Sequence, residues 1–172
     1  AGATTYYFDS ANDYKIFIWL QGANGQMQAP QKFPYLQPGR ALGFVISRIY
    51  AGQNPRILIC VNNYLNIYAW SNNTLVLEES IKTMDNDPQK SVATADFDGD
   101  GLMDIAISHG SIRLTILYQN ASATPKWDIV NHAITGIGGS YNMPHIIAGK
   151  FGSLTQNAVI SVNNALGNEL SV

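Results

Sequence analysis

The sequence predicts an all-β protein built from repeated antiparallel units of four strands. Its 172 residues contain no stretch with a sustained helical period, and short apolar runs rich in β-branched residues alternate with turns of Asn, Ser and Gly. One pattern also recurs along the chain, with apolar anchors at Ile49, Phe97 and Phe151 that are 48 and 54 residues apart. Repeats of this length suit the four-stranded blades of a β-propeller with loops of variable length.

The strands of each unit are placed relative to these anchors. Eight residues after each anchor comes an apolar residue, at Ile57, Ile105 and Val159 respectively. The segment Ser91–Ala95 is predicted as a first strand. Second strands are predicted at Arg56–Ile59, Asp104–Ile107 and Ala158–Ile160; third strands at Lys15–Trp19, Asn66–Trp70 and Ile112–Leu117; and fourth strands at Met27–Phe33, Thr74–Ile81 and Trp127–Ile134.

These strands predict that residues 1–172 form a single β-propeller segment. It comprises two complete blades, at about 42–90 and 91–143, and partial blades at about 1–41 and 144–172. Two complete blades and two partial ones fall short of a closed ring, and unpaired blade faces are apolar. Ring closure is therefore expected to need the rest of a longer parent chain, a partner chain or self-association.

Composition excludes two classes of partner. The net charge is −2 and Lys and Arg do not cluster, so neither nucleic-acid binding nor attraction to an anionic membrane surface is predicted. The longest apolar runs are strand-like pieces such as Ile57–Val61, whereas a membrane-spanning helix needs about 20 apolar residues. Membrane insertion is not expected.

The residues most suited to binding an ion are concentrated between positions 96 and 104. Asp96, Asp98, Asp100 and Asp104 surround two glycines, and like charges this close repel unless a cation joins them. Calcium takes six to eight oxygen ligands, and Gly101 stands at the sixth loop position, where a sharp turn is needed. The predicted Ca²⁺ ligands are the carboxylates of these four Asp residues and the backbone carbonyl of Leu102.

Two other interpretations of this loop exist, an EF-hand and an acidic turn without metal. In an EF-hand the twelfth position is a bidentate Glu, but here it is Ile107, and the flanking segments are strands rather than helices. A solvated acidic turn without metal is the remaining alternative, since Asp and Gly are common turn residues.

The segment from Ala95 to Ala106 resembles the FG-GAP or VCBS repeat, the calcium-bearing blade of integrin-type β-propellers. The resemblance implies a calcium site in this loop alone, because cations at the equivalent positions of the flanking units exclude a metal there. Arg48 and Lys150 stand at the position of Asp96, Tyr50 and Gly152 at that of Asp98, and Arg56 and Ala158 at that of Asp104.

The resemblance also places the calcium loop on the lower face of the ring and other loops on the upper face, where propellers commonly bind ligands. These upper loops are polar and rich in amides and glycine, which suits hydrogen bonding to a glycan or a protein ligand. Ordinary turn chemistry is the alternative for each of these residues. The candidate ligand contacts are Asn63, Tyr64, His109, Tyr141 and Asn142.

The sequence gives no support for catalysis. His109, His132 and His145 have no metalloprotease spacing, and Cys60 lies inside an apolar run with no activating base nearby in sequence. We therefore expect a non-enzymatic propeller, secreted or at the cell surface, that binds Ca²⁺ for stability and recognises a carbohydrate or protein ligand. The alternatives are an accessory propeller region of a larger secreted enzyme or adhesin, and a short propeller subunit that assembles with itself into a ring.

Overall fold

The computed structural model describes residues 15–35, 41–84, 87–110, 113–122, 124, 126–133, 145–152, 155–162 and 170–171. These residues form thirteen strands and no helix, which confirms the predicted all-β class. The chain divides into two compact units, Ala1–Arg40 and Ala41–Val172. Within the described ranges no helix has the length and apolar character needed to cross a membrane.

The N-terminal unit contains one antiparallel pair of strands. β1 (Lys15–Ile18) pairs with β2 (Gln31–Pro34), so that Phe17 lies opposite Lys32. The predicted third strand of this unit is present at its predicted place, and its fourth strand begins later than predicted. Residues 1–14 of the predicted partial blade lie outside the described part of the chain.

The larger unit begins with a four-stranded antiparallel sheet, called sheet A. β3 (Ala41–Ser47), β4 (Arg56–Val61), β5 (Tyr64–Ser71) and β6 (Thr74–Lys82) pair in chain order. The turn between β5 and β6 consists of Asn72 and Asn73, both with positive φ (50° and 57°). This conformation suits Asn and matches the twist of a two-residue hairpin.

The strands of sheet B also pair in chain order, and sheet C is the next sheet along the chain. Sheet B consists of β7 (Gln89–Ala95), β8 (Asp104–His109), β9 (Arg113–Gln119) and β10 (Trp127–Ala133). The described strands of sheet C are β11 (His145–Gly149), β12 (Ala158–Val162) and β13 (Leu170–Ser171). Within the described part of the larger unit, sheets A, B and C do not close into a ring.

Sheet B is buried on both of its faces. Ile105 and Ile107 of β8 enter an apolar core shared with Leu58 and Ile67 of sheet A, while Ala106 enters a second core shared with sheet C. Every residue of β8 is buried as a result. This packing explains why β8 is apolar at consecutive positions rather than at alternate ones.

Candidate metal centre

The acidic loop connects two neighbouring strands of sheet B. Ala95, the last residue of β7, pairs with Asp104, the first residue of β8, and residues 96–103 lie between them. At the other end of the same strands Gln89 pairs with His109. The acidic loop and His109 therefore lie at opposite ends of β8, as the strand order predicts.

Two glycines and one carboxylate shape the loop. Gly99 and Gly101 have φ values of 84° and 87°, in the left-handed region that favours glycine. Asp96 accepts hydrogen bonds from both of their backbone N–H groups, at 2.7 Å from Gly99 and 3.0 Å from Gly101. Its side chain therefore lies inside the turn, which curls around it.

Three of the four predicted carboxylate ligands converge. One carboxylate oxygen from each of Asp96, Asp98 and Asp104 lies within 4.8 Å of the other two. Asp100 is not part of this group, and its carboxylate accepts a 2.7 Å hydrogen bond from the backbone N–H of Leu102. The loop thus brings together three oxygen donors from positions one, three and nine.

Asp104 is the carboxylate of this group that the protein holds in a buried position. Its side chain is fully buried, and its two oxygens accept hydrogen bonds from the backbone N–H groups of Phe97, at 2.7 Å, and Gln119, at 2.9 Å. Burial raises its pKa, the two backbone N–H groups oppose that rise, and the charges of Asp98 and Asp100 add to it. A cation beside Asp104 would stabilise its charged form against both burial and repulsion.

In sheet A the position equivalent to Asp104 is occupied by Arg56, a side chain of opposite charge that also holds its loop in place. Arg56 is buried and donates hydrogen bonds of 2.6 Å and 2.9 Å to the two carboxylate oxygens of Glu78. It also donates to the Asn54 carbonyl, at 2.6 Å, and to the Gln53 side chain. The cationic side chain therefore fastens its own loop.

In sheet C the loop between β11 and β12 contacts the acidic loop. The side-chain amide of Asn157 donates a 2.6 Å hydrogen bond to the backbone carbonyl of Asp96. Lys150 is exposed and lies along a small groove with Asp96 and Asn157. No sequence motif indicates the Asn157 contact, because residues 61 positions apart meet only through the packing of sheets B and C.

The predicted ligand contacts are more dispersed than the predicted metal ligands. Asn63 and Tyr64 are half-buried at the turn between β4 and β5, and Tyr141 and Asn142 lie outside the described residues. The side chain of His109 is fully buried, with Nδ1 3.0 Å from the Asp87 carbonyl and Nε2 2.7 Å from the Thr115 hydroxyl. Both of its ring nitrogens thus face protein partners, which gives this side chain a packing role.

A groove that the sequence did not indicate lies beside the acidic loop. It has a volume of about 420 Å³ and is polar, with three carboxylates in its lining. Asp128 of β10 joins it because the register places this residue opposite Tyr118 of β9. The lining residues are Asp98, Asp100, Tyr118, Gln119, Asn120 and Asp128.

Comparison with known proteins agrees with the repeat assignment. Residues 55–107 match the family model described as an FG-GAP-like repeat. The matched segment runs from the start of β4 through the acidic loop into β8, and it confirms the FG-GAP resemblance for this part of the chain. No curated protein matches the chain.

Proposed function

We propose that this chain is a non-enzymatic β-propeller segment of the FG-GAP type that binds one Ca²⁺ ion in the loop 96–104. The ion stabilises the loop, and the propeller serves to recognise a carbohydrate or protein ligand outside the cell. The observation that supports the proposal best is the convergence of the Asp96, Asp98 and Asp104 carboxylates within 4.8 Å.

The donor set favours calcium because it consists only of oxygen. Hard cations such as Ca²⁺ prefer carboxylate and carbonyl ligands, and calcium tolerates the irregular geometry that a loop provides. The Leu102 carbonyl and the Asp100 carboxylate belong to the same loop and are the proposed additional ligands. Asp104 is already fixed to the backbone of Phe97 and Gln119, so an ion held by it would connect β7, β8 and the end of β9.

The repeat type supports an extracellular location. FG-GAP repeats are typical of extracellular proteins and suggest an adhesion-type domain. Extracellular calcium modules bind weakly, with Kd values of about 10⁻⁴ to 10⁻³ M, and remain occupied because the ion is abundant there. A weak, loop-borne site of this kind suits a structural ion.

Calorimetry on the intact protein tests the calcium site. Ca²⁺ at 100 times its Kd should raise the melting temperature by about 5 to 10 °C over a sample with chelator. Asp98→Asn should abolish most of this rise, because it removes one of the three converging carboxylates. Isothermal titration should give one site per chain for the wild type.

Asp128→Asn is the matched control. Asp128 is exposed and shares the groove with Asp98, but it is not one of the converging carboxylates. The variant removes the same charge from the same neighbourhood and should keep the calcium response. A melting temperature unaffected by calcium and chelator, together with no binding heat, would contradict a calcium site.

Ligand recognition needs a separate test. A glycan array probed with the intact protein should retain specific sugars, and Tyr64→Ala should weaken that retention, since Tyr64 is half-buried at the predicted upper surface. An array without any retained sugar would argue against a lectin. Protein ligands would then be sought by adhesion to immobilised extracellular proteins.

A further inference from the structure

Two short sequence motifs lie in equivalent turns of sheets A and B. Asn72-Asn73-Thr74 spans the turn between β5 and β6, and Asn120-Ala121-Ser122 opens the connection between β9 and β10. Both motifs have the pattern Asn-X-Ser/Thr, with X other than Pro, that acceptors of asparagine-linked glycans share. A glycan is bulky and needs an exposed position on the folded protein, so the structure can distinguish the two motifs.

The first motif is at the tip of a β-hairpin. Asn72 and Asn73 are the two turn residues, Thr74 is the first residue of β6, and all three are exposed. Among the residues that the structure describes, no group forms a hydrogen bond with the side-chain amide of Asn72. This side chain therefore has room for a bulky attachment without the loss of a contact within the protein.

The second motif is tied into its surroundings. Oδ1 of Asn120 accepts a 3.2 Å hydrogen bond from the backbone N–H of Ser122, and the backbone N–H of Asn120 donates to the Lys126 carbonyl at 2.8 Å. Asn120 also lines two grooves, one shared with Asp98 of the acidic loop and the other with Tyr50. A glycan on Asn120 would disturb this hydrogen bond and enter the space beside the acidic loop.

The hairpin tip lies away from the regions that the proposed function uses. Tyr64 is the first residue of β5 and Ser71 is the last, so Asn72 and Tyr64 are at opposite ends of this strand. Asn72 is also absent from the lining of the described grooves beside the acidic loop. Its neighbour β6 is the last strand of sheet A, and a bare edge strand can pair with other chains. A glycan on Asn72 would stand beside this edge and leave the acidic loop and the upper loops open.

We infer that Asn72 is the residue at which this chain accepts an asparagine-linked oligosaccharide. The inference rests on the proposed extracellular location, because the modifying enzyme acts on chains that cross a secretory membrane. The side-chain nitrogen of Asn72 forms a bond to C1 of the first sugar of a lipid-linked oligosaccharyl diphosphate. The bond from C1 to the phosphate oxygen breaks, the lipid diphosphate leaves, and the amide loses one proton. Thr74 supplies the hydroxyl that the acceptor motif requires.

Expression of the full 172-residue chain behind a eukaryotic secretion signal tests the inference. Intact-mass spectrometry should show one glycan per chain, and peptide mapping after enzymatic release should place it at residue 72. Asn72→Asp removes the acceptor nitrogen and Thr74→Val removes the hydroxyl, so neither variant should carry a glycan. Asn73→Gly is the matched control, because Asn-Gly suits the same hairpin turn and keeps the acceptor motif. Since the secretion signal is added, the result does not depend on the native location.

Cell-free translation with microsomes gives a second measurement, which does not require that the variants fold or are secreted. The wild type and Asn73→Gly should shift on a gel, and Thr74→Val should not. Three results would overturn the inference: no shift of the wild type in microsomes that modify a known acceptor protein, a glycan on Asn120, or a glycan that persists in Thr74→Val.

The calcium response separates this inference from the proposed function. The rise in melting temperature with Ca²⁺ should be the same before and after enzymatic removal of the glycan, because Asn72 is not part of the acidic loop. A secreted chain that responds to calcium but carries no glycan would overturn the glycan site alone. A chain with the glycan on Asn72 and no calcium response would support the glycan site and contradict the calcium site.

Discussion

The side-chain amide of Asn157 in sheet C donates a hydrogen bond to the backbone carbonyl of Asp96 in sheet B, at 2.6 Å. The acidic loop is thereby fastened on two sides: internally by Asp104, which holds Phe97 and Gln119, and externally by a residue of the next repeat. The order of the loop therefore depends on the packing of sheet C as well as on its own sequence.

Asn157→Ala should lower the free energy of unfolding by about 1 kcal/mol, because it leaves a partly buried carbonyl without this donor. Urea denaturation measures the change. Gln156→Ala, at the exposed neighbouring position, should stay within about 0.5 kcal/mol of the wild type. Equal effects of the two substitutions would mean that the hydrogen bond contributes nothing specific.

Gly43→Ala should destabilise the packing of sheets A and B by about 1 to 3 kcal/mol. A Cβ atom at residue 43 would lie 2.6 Å from the Cα of Ser91 and 2.8 Å from the Lys90 carbonyl oxygen, so two backbones would have to separate. Gly149→Ala is the matched control on β11, where the nearest atom would be 3.9 Å away. Thermal unfolding of the two variants should differ clearly.

Glu79→Gln should lower the free energy of unfolding by about 2 to 3 kcal/mol. The reason is that the Glu79 carboxylate accepts hydrogen bonds from Tyr50, Trp127 and Lys126. Lys126→Met removes only one exposed partner of this group and should cost less than about 1 kcal/mol. Chemical denaturation of both variants checks the ranking, and a larger loss for Lys126→Met would contradict it.

The same carboxylate predicts an acid dependence. Burial pushes the pKa of Glu79 upward, but hydrogen bonds from Lys126, Tyr50 and Trp127 outweigh burial and hold the pKa below the ordinary 4.5. A carboxylate with a lowered pKa stabilises the fold above its ordinary value and loses that contribution as the pH falls through its folded value. The stability difference between wild type and Glu79→Gln should therefore shrink as the pH is lowered from 5 towards 3.

His109 predicts a second pH dependence, near neutrality. Burial lowers the pKa of His109 below the ordinary 6.5, against the raising effects of its hydrogen bond to the Asp87 carbonyl and of the Asp87 charge, while Arg113 lowers it further. Because the unfolded chain takes up the proton first, His109 supports the fold above pH 6.5 and ceases to do so as the pH falls.

Substitution separates His109 from the other histidines. Stability should fall by up to about 1.4 kcal/mol per pH unit below 6.5 in the wild type, and this slope should be smaller in His109→Gln. His132→Gln, at an exposed position of β10, should keep the wild-type slope. Denaturation midpoints between pH 5 and 8 measure all three proteins.

The sequence by itself determined the repeat, the strand order within each sheet and the acidic loop with its turn glycines. These features follow from local rules, since alternation of apolar residues and the positive φ of Gly99 and Gly101 involve only near neighbours in the chain. The sequence also shows that sheet A has Arg56 where sheet B has the acidic residue Asp104, because the repeat aligns these two positions.

Only the tertiary structure decided which polar residues are buried and which faces stay open. His109 looked like a surface loop residue in the sequence, yet Asp87 and Thr115 enclose it from two other segments. Asp128 reaches the groove of Asp98 through strand pairing, and Asn157 reaches Asp96 through sheet packing. Phe44 and Val92 are equivalent in the repeat, but one is exposed and the other buried, because burial depends on the neighbouring sheet rather than on the residue itself.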